Sequence, residues 1–563
     1  MSAPSFDMPL ILAVGVTGHR TLAQPETVRR QLDTVLAEIR SSIARLAGTA
    51  SAELRVISPL AEGADRLFAE AGLAAGGVLH APLPFARAEY LADFAAPASR
   101  QAFADLLARA DRVLELDGDP RQRDLAYLEV GRVVTTYSDI LVAVWDGEPG
   151  RGLGGTAEIV AEALKDGVTV VGVDPQGRRP PGLLRGSIHQ PHWDDLGGLA
   201  ACIHALLTPP PGGKHSAGLG EFARTSAAVP DAFEASRAQW AALFPRESTL
   251  AAICAPCMAG PPTEAFARAD TLASRYASRY RHAFVVNFVL SAVAVGLALL
   301  GERIHPVAFR VAEIVSIVVI VALTGIANGL NWHQRWIEYR HLAEQLRPLR
   351  FLFPLALALP KSHTGRPLQA DEHLTAWADW LVRRVEITLG FPSTEFAPDY
   401  LTGVRDFVIK DILEEQICYH RRKAKRMRGL DSLFHTFGTI LFGFTAVACV
   451  FDIIDLVNPG AGGWLATLHH WQPVVIFAAG VAPAFGAALL GIRNIGEYDR
   501  LERRSSAMAA ALDQTRADLT HEDGRRLRRG RLAQHLEAIA AQMVSETADW
   551  RTLVITRRIE WPG

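Results

Sequence analysis

Asp146 to Gly167 reads DGEPGRGLGGTAEIVAEALKDG. Gly150, Gly152, Gly154 and Gly155 crowd into six residues, and a helical pattern starts directly after them at Thr156. DILVAVW precedes the stretch and VTVVGV follows it, both short apolar runs of buried-strand type. Strand, glycine turn, helix and strand make one unit. Its glycines let backbone approach a phosphate closely, and its helix start offers unpaired N–H groups and the positive end of a dipole.

The same alternation fills the N-terminal third. LILAVGV is a strand, TGHR a turn, and a helix runs from about Pro25 to Leu46 with proline in its first turn. ELRVISP is a second strand, AEGADRLFAEAGL a helix and VLHAPLP a third strand. Apolar strands alternating with amphipathic helices predict an α/β Rossmann-like domain, a parallel sheet with helices on both faces. Ligands of such sheets sit at the carboxyl ends of the strands. Three turns there have suitable chemistry: Gly15–Arg20, Ser58–Asp65 and Gly152–Thr156. Thr17, Ser58 and Thr156 bring hydroxyls, and Arg20 can pair with a phosphate. The candidate ligand-binding set is Thr17, Gly18, His19, Arg20, Ser58, Glu62, Gly63, Asp65, Gly154, Gly155, Thr156 and Glu158. Two members have a second reading. His19 is either a ligand-contacting ring or a satisfied turn histidine. Glu158 is either a base or ribose-hydroxyl ligand, or a carboxylate complementing the helix N-terminus. No residue is assigned as catalytic, and none as a metal ligand.

At 563 residues the chain is too long for one core, and its net charge of −2 gives no footprint for a nucleic-acid polymer. Five cysteines are too few and too odd for a disulfide scaffold, which fits a reducing compartment. Cys254 and Cys257 have CxxC spacing without a second pair, and read as coincidence in a linker. MSAPSFDMPLILAVGVTG has no basic start and reads as a first strand rather than a signal peptide.

VGVTGHR, SPLAEGADRLFAEAGL and WDGEPGRGLGGTAEIVAEALKDGVTVVGV, in that order, resemble the SLOG superfamily over roughly residues 8–205. Its relatives include the DNA-processing protein A fold, the lonely-guy phosphoribohydrolases and the nucleotide-binding region of TRPM channels. The resemblance implies a Rossmann-like fold and a nucleotide or nucleotide-derived ligand. Enzymatic members carry PGGxGTxxE. Here Gly154-Gly155-Thr156-Ala157-Glu158 brings the glutamate one residue nearer the threonine and lacks the proline. One residue is about 100° of helix turn, so the carboxylate leaves from another face. That departure favours binding over hydrolysis.

Past position 280 lie four apolar runs, at 283–301, 311–330, 433–453 and 472–492. Each approaches the ~20 residues that a bilayer core requires. Paired across short turns, they predict four transmembrane helices in two hairpins. The Val457–His470 turn has no Lys or Arg, whereas RRKAKRMR (421–428) precedes the third run and Arg493, Arg500, Arg503 and Arg504 follow the fourth. Arg303 and Arg310 in the first turn run the other way but are outnumbered. The positive-inside rule therefore predicts cytoplasmic N- and C-termini. The basic run is a topology signal or a contact for anionic lipid heads. Asn287, Glu313, His435 and Asp452 lie in or beside the spans. They either line a path or, for Asn287, bind helix to helix, and for the others reach the headgroups.

Both hairpins follow a basic helical approach and lead into a charged helix, NWHQRWIEYRHLAEQLR in the first and IRNIGEYDRLERR in the second. This unit resembles the SLATT family, a two-span module found beside nucleotide-sensing domains in bacterial conflict systems. The organisation expected is a SLOG-like domain over 1–208, a linker over 209–230 and a SLATT-like unit over 231–350. A cytoplasmic helical connector over 351–431 and a second SLATT-like unit over 432–563 follow. Together the resemblances imply an anti-phage effector in the bacterial inner membrane, a homo-oligomer that a nucleotide second messenger opens or turns against the bilayer. The ligand would be a cyclic oligonucleotide or an ADP-ribose-type molecule, with no other cofactor. A membrane-anchored nucleotide N-glycosidase or phosphoribohydrolase is the alternative, and a membrane scaffold without a small ligand the third reading.

Overall fold

Leu10–Gly18 (β1) alternates its side chains between two buried layers, which makes it the centre of a sheet. Leu12, Val14 and Val16 enter one core, while Ile11 and Ala13 are buried on the other side. The structure, a computed structural model, describes residues 8–48, 51–148, 154–210, 216–242, 244, 249–304, 307–359, 376–457, 472–522 and 527–554. By packing, the chain forms two units. One gathers Met1–Thr271, Arg340–Ile412 and Asp518–Thr547; the other gathers Leu272–Tyr339, Leu413–Ala517 and Ala548–Gly563.

In the first unit, the other strands are β2 (Ala52–Ile57), β3 (Val78–Leu83), β4 (Arg112–Glu115), β5 (Ile140–Val144), β6 (Thr169–Val173), β7 (Gly182–Ser187), β8 (Gln190–Asp195) and β9 (Thr394–Glu395). Their order is β8-β7-β6-β5-β1-β2-β3-β4-β9. From β6 to β9 every pairing is parallel. The fold is thus the expected α/β domain, with one correction: β7 and β8 add an antiparallel hairpin at the edge. A hairpin needs no crossover helix, and its half-exposed strands lack the continuous apolar run that marks the parallel ones.

Helices cover both faces. On one lie α1 (Pro25–Ala47), α2 (Ala64–Ala74), α3 (Arg87–Leu91) and α4 (Pro97–Ala108). On the other lie α5 (Arg123–Thr136) and α6 (Thr156–Lys165); α7 (Leu199–Leu207) returns to the first. α1 starts with Pro25 in its first turn and buries Val28, Leu32, Val35, Leu36, Ile39 and Ile43. Each such side chain contributes about 1.5–3 kcal/mol by leaving water. Then come α8 (Ser216–Ala228), α9 (Pro230–Ala241) and α10 (Thr249–Ala259). α8 occupies most of the stretch expected to be a linker. Gly218 and Gly220 fall in its first turns without ending it, and Phe222 is fully buried with its ring 5.9 Å from that of Trp377.

Later residues complete this unit. The remaining helices are α11 (Pro261–Ile304), α12 (Val307–Gly329), α13 (Trp332–Leu346), α14 (Leu349–Leu352), α15 (Ala376–Leu389), α16 (Pro398–Phe407), α17 (Glu414–Val457), α18 (Gln472–Gly496), α19 (Tyr498–His521) and α20 (Arg529–Val554). α15, from the stretch read as a connector, seals the amino edge of the sheet. Arg384 pairs with buried Asp139 and donates to Ile11 O (3.1 Å), while Asp139 accepts from Ala13 N (3.1 Å). Arg383 donates to Thr136 O and Ser138 O, both at 2.7 Å, satisfying carbonyls at the end of α5. Arg55 reaches Ile387 O, and Arg112 reaches Leu389 O (2.7 Å) and Phe391 O (2.9 Å). Between those two cations, burial and their charge push the His80 imidazole down to about 2.

In the second unit, α11, α12, α17 and α18 carry the apolar stretches, each long enough to cross a membrane, and no more than 28% of any such stretch is buried. The two hairpins share local features. α11 and α17 are each 44 residues long. Where each second span ends, one residue turns left-handed before the next helix: Asn331 at φ 51° and Glu497 at φ 46°. The Glu-Tyr pairs that match in sequence, Glu338-Tyr339 and Glu497-Tyr498, do not correspond. One lies inside α13 and the other at the junction before α19. Asn287 is buried and its Nδ2 donates to Thr324 Oγ1 (2.8 Å), joining the first two spans. Glu313 is half-buried; His435 and Asp452 are exposed. Asp431 and Arg493 form a two-pronged pair (2.7 and 3.0 Å) at one end of the second hairpin. Tyr280 stacks on His333 and Trp336 at the matching end of the first. The Lys- and Arg-free turn between α17 and α18 lies, past Val457, outside the described residues.

Candidate functional site: the carboxyl edge beside β1

From β1 the chain proceeds outward through β2, β3 and β4, then returns to β5 on the other side of β1. The loops after β1 and β5 therefore leave in opposite directions, and such a switch point is the usual ligand position in sheets of this kind. With the amino edge sealed by α15, this carboxyl edge is where a ligand has access.

The first two glycine turns lock together there. His19 N donates to Val144 O (3.3 Å), and Ala64 N donates to His19 O (3.1 Å). A β-carbon on Gly18 would stand 2.5 Å from that of Ala64 and 2.7 Å from that of Val144. Gly63 stands at φ 83°, and a β-carbon there would overlap the carbonyl oxygens of His19 and Arg20. The third turn enters from β5. Gly154 stands at φ 74° with its β-position closed by Asp124 O, and Gly155 caps α6. Gly150 and Gly152 lie outside the described residues.

The candidate side chains divide by what they already hold. Thr17 and Thr156 are half-buried, and no hydrogen bond of their hydroxyls is found among the described residues. His19 lies 3.8 Å from Asp146 and is partly exposed. Arg20 is exposed, with its guanidinium 4.2 Å from the centre of the Tyr127 ring. These four remain open to a ligand. Ser58 does not: it is fully buried, donates to Asp65 O (2.9 Å) and accepts from Leu60 N (3.2 Å). It braces the turn that holds Leu60 at φ 61°. Glu62 is bonded to the Ser99 hydroxyl, which Arg66 also contacts at 2.8 Å. Glu158 accepts from Gly154 N at 2.7 Å, so its carboxylate closes the start of α6. Asp65 is buried in the first turn of α2. Burial pushes its carboxyl up to about 7, against the opposing pull of the Arg20 charge and a backbone N–H at Ala61.

Sequence reasoning missed a polar cluster beside these residues. Tyr127 O–H donates to Asp93, and Arg123 pairs with Asp93 and with Glu89 (2.9 Å). Tyr127 and Arg123 both belong to α5, whose weak amphipathic pattern carries no motif. The clue available was only that α5, which returns the chain from β4 to β5, must begin at the carboxyl edge. A hollow of about 310 Å³ lies farther along that edge, lined in part by Pro84, Leu116, Gln122 and Arg529. Asp117 and Glu129 on its wall are already bonded to Arg529 (2.8 and 3.0 Å), so the switch point between β1 and β5 is the better ligand site. Cys254 and Cys257 are buried in α10, and burial pushes the Cys254 thiol up to about 12, which suits packing rather than redox chemistry.

Residues 264–357, spanning the first hairpin and α13, match the family model described as a protein of unknown function (DUF4231). No curated protein matches the chain.

Proposed function

We propose that the protein is a membrane effector switched by a nucleotide-derived signal. The observation that carries this is architectural: the α/β unit, with the switch point at its carboxyl edge, is built from the three chain segments that flank the two apolar hairpins. A ligand at that edge touches a unit through which the chain passes before, between and after its apolar hairpins. Differential affinity of the ligand for two arrangements of that unit biases the hairpins. Glycine turns, two helix starts, Arg20 and the free hydroxyls of Thr17 and Thr156 suit a phosphorylated ligand. The resemblance to SLOG and SLATT proteins supports a cyclic oligonucleotide or ADP-ribose-type signal, an anti-phage role and a bacterial inner membrane. The basic residues around the spans support a cytoplasmic α/β unit. A pore needs several copies, so the working form is a homo-oligomer.

Hydrolysis is the weaker reading because Glu158 is engaged by Gly154 N. The test uses full-length protein in detergent, mixed with cyclic oligonucleotides, cyclic ADP-ribose isomers, ADP-ribose and NAD. Thermal unfolding reports binding, chromatography reports the fate of each ligand, and dye release from proteoliposomes reports the membrane action. One ligand that stabilises the protein, returns intact and triggers release supports the effector. A cleaved ligand supports the N-glycosidase or phosphoribohydrolase. No shift with any ligand leaves the scaffold.

A further inference from the structure

The basic run before the third span is divided by the helix that carries it. On α17, Arg421 pairs with Asp513 (2.8 Å) and Arg428 with Glu502, both on α19. These two arginines are seven residues apart and form one stripe turned toward that neighbour. Arg422, Lys425 and Arg426 are exposed, and no ion pair or hydrogen bond involves them among the described residues. Spaced i, i+3 and i+4, they fall within about 100° of helix arc beside the paired stripe.

The same arc continues up the helix. At 100° per residue, Leu433, Phe437, Ile440, Phe444 and Val447 lie above Arg422 and Arg426, and all five are exposed large apolar side chains. One unbroken helix therefore presents, on one face, three free cations and then a long apolar stripe. Arg426 is seven residues below Leu433, about 10 Å along the axis, which its long side chain spans to reach a headgroup layer roughly 5–8 Å deep beside the hydrocarbon. The apolar stripe alone fits acyl chains, and the cations alone fit any anion. Their alignment fits a molecule with both parts.

We infer that Arg422, Lys425 and Arg426 form a headgroup site for anionic phospholipid, whose acyl chains lie along the apolar face of α17. This rests on α17 crossing a bilayer and is independent of what binds at the sheet edge. Arg421 and Arg428 hold α17 to α19 instead, so the two sets of charges are separable by mutation.

The test is thermal unfolding of full-length protein in neutral detergent, without nucleotide, after adding phosphatidylglycerol, phosphatidylcholine or inorganic phosphate. Phosphatidylglycerol raises the midpoint several degrees more than phosphatidylcholine does, and high salt reduces the difference. Arg422→Gln/Lys425→Gln/Arg426→Gln loses the difference, while Arg421→Gln/Arg428→Gln lowers the midpoint without lipid and keeps it. The proposal is overturned if the triple variant keeps the full difference, or if inorganic phosphate reproduces it. Should the triple variant not fold in neutral detergent, Arg426→Gln is read in its place, and an unchanged difference there overturns it equally.

Discussion

At position 63 the backbone stands at φ 83°, and a β-carbon has only the His19 and Arg20 carbonyls to meet. Gly63→Val therefore separates the first two turns and costs about 2 kcal/mol or more, read as a lower unfolding midpoint together with loss of any nucleotide-induced shift. Asp65 gives the site a pH signature. Its folded carboxyl, pushed up to about 7, keeps a proton that the unfolded chain releases near the ordinary aspartate value. The associated stability is present below about pH 4 and is lost as pH rises toward 7, because the folded form then binds more protons than the unfolded one. An anionic ligand nearby favours the protonated carboxyl, so its affinity falls as pH rises through that range. Asp65→Asn flattens both dependences, which titrations of midpoint and affinity across pH 5–8 check.

Among elements, α5 is the one with duties at both ends of the sheet edge. Its Tyr127 lies under Arg20, its Asp124 carbonyl closes the space beside Gly154, and its Glu129 binds Arg529 at the start of α20. Arg529 is buried and also donates to Leu355 O (2.9 Å) and Ala356 O (3.2 Å). Arg529→Ala leaves those partners unpaired, and destabilisation of about 3–5 kcal/mol is expected in chemical denaturation of the full chain. Between the spans, Asn287 and Thr324 should couple by about 0.5–1.5 kcal/mol in a double-mutant cycle with Asn287→Leu and Thr324→Val. The elements legible in sequence were those with strong periodicity. Five parallel strands, α1 and the four apolar helices announce themselves through long apolar or amphipathic runs. β4 has four residues and charged ends, β9 has two, and the β7–β8 hairpin is half polar. In the site, the glycines were legible because their backbone demands are local. Tyr127, Asp93 and Arg123 were not, since only the meeting of the start of α5 with the turn after α3 brings them together. Nothing near Arg383 or Arg384 in sequence reveals that they cap the end of α5 and the start of β5 nearly 250 residues away, as the separations of 247 and 245 residues record.

For the molecule as a whole, the two units interleave along the chain. A fragment ending at residue 208 keeps β1 to β8 but lacks α15, β9 and the Arg529 contacts, so Asp139 loses Arg384, and Arg55 and Arg112 lose the carbonyls of Ile387, Leu389 and Phe391. Such a fragment is expected to show no cooperative unfolding transition, whereas the full chain does, a comparison that calorimetry makes directly. The sealing of the amino edge has a further consequence, one of timing. A ribosome delivers β1 through β8 first, and the helix that seals them emerges only after the first hairpin has been made. Arg529 follows the second hairpin. The sheet thus spends its early life unfinished, with buried arginines still waiting for carbonyls not yet synthesised. Maturation of the α/β unit is thereby tied to synthesis of both hairpins, and a chain halted between them carries an incomplete sheet.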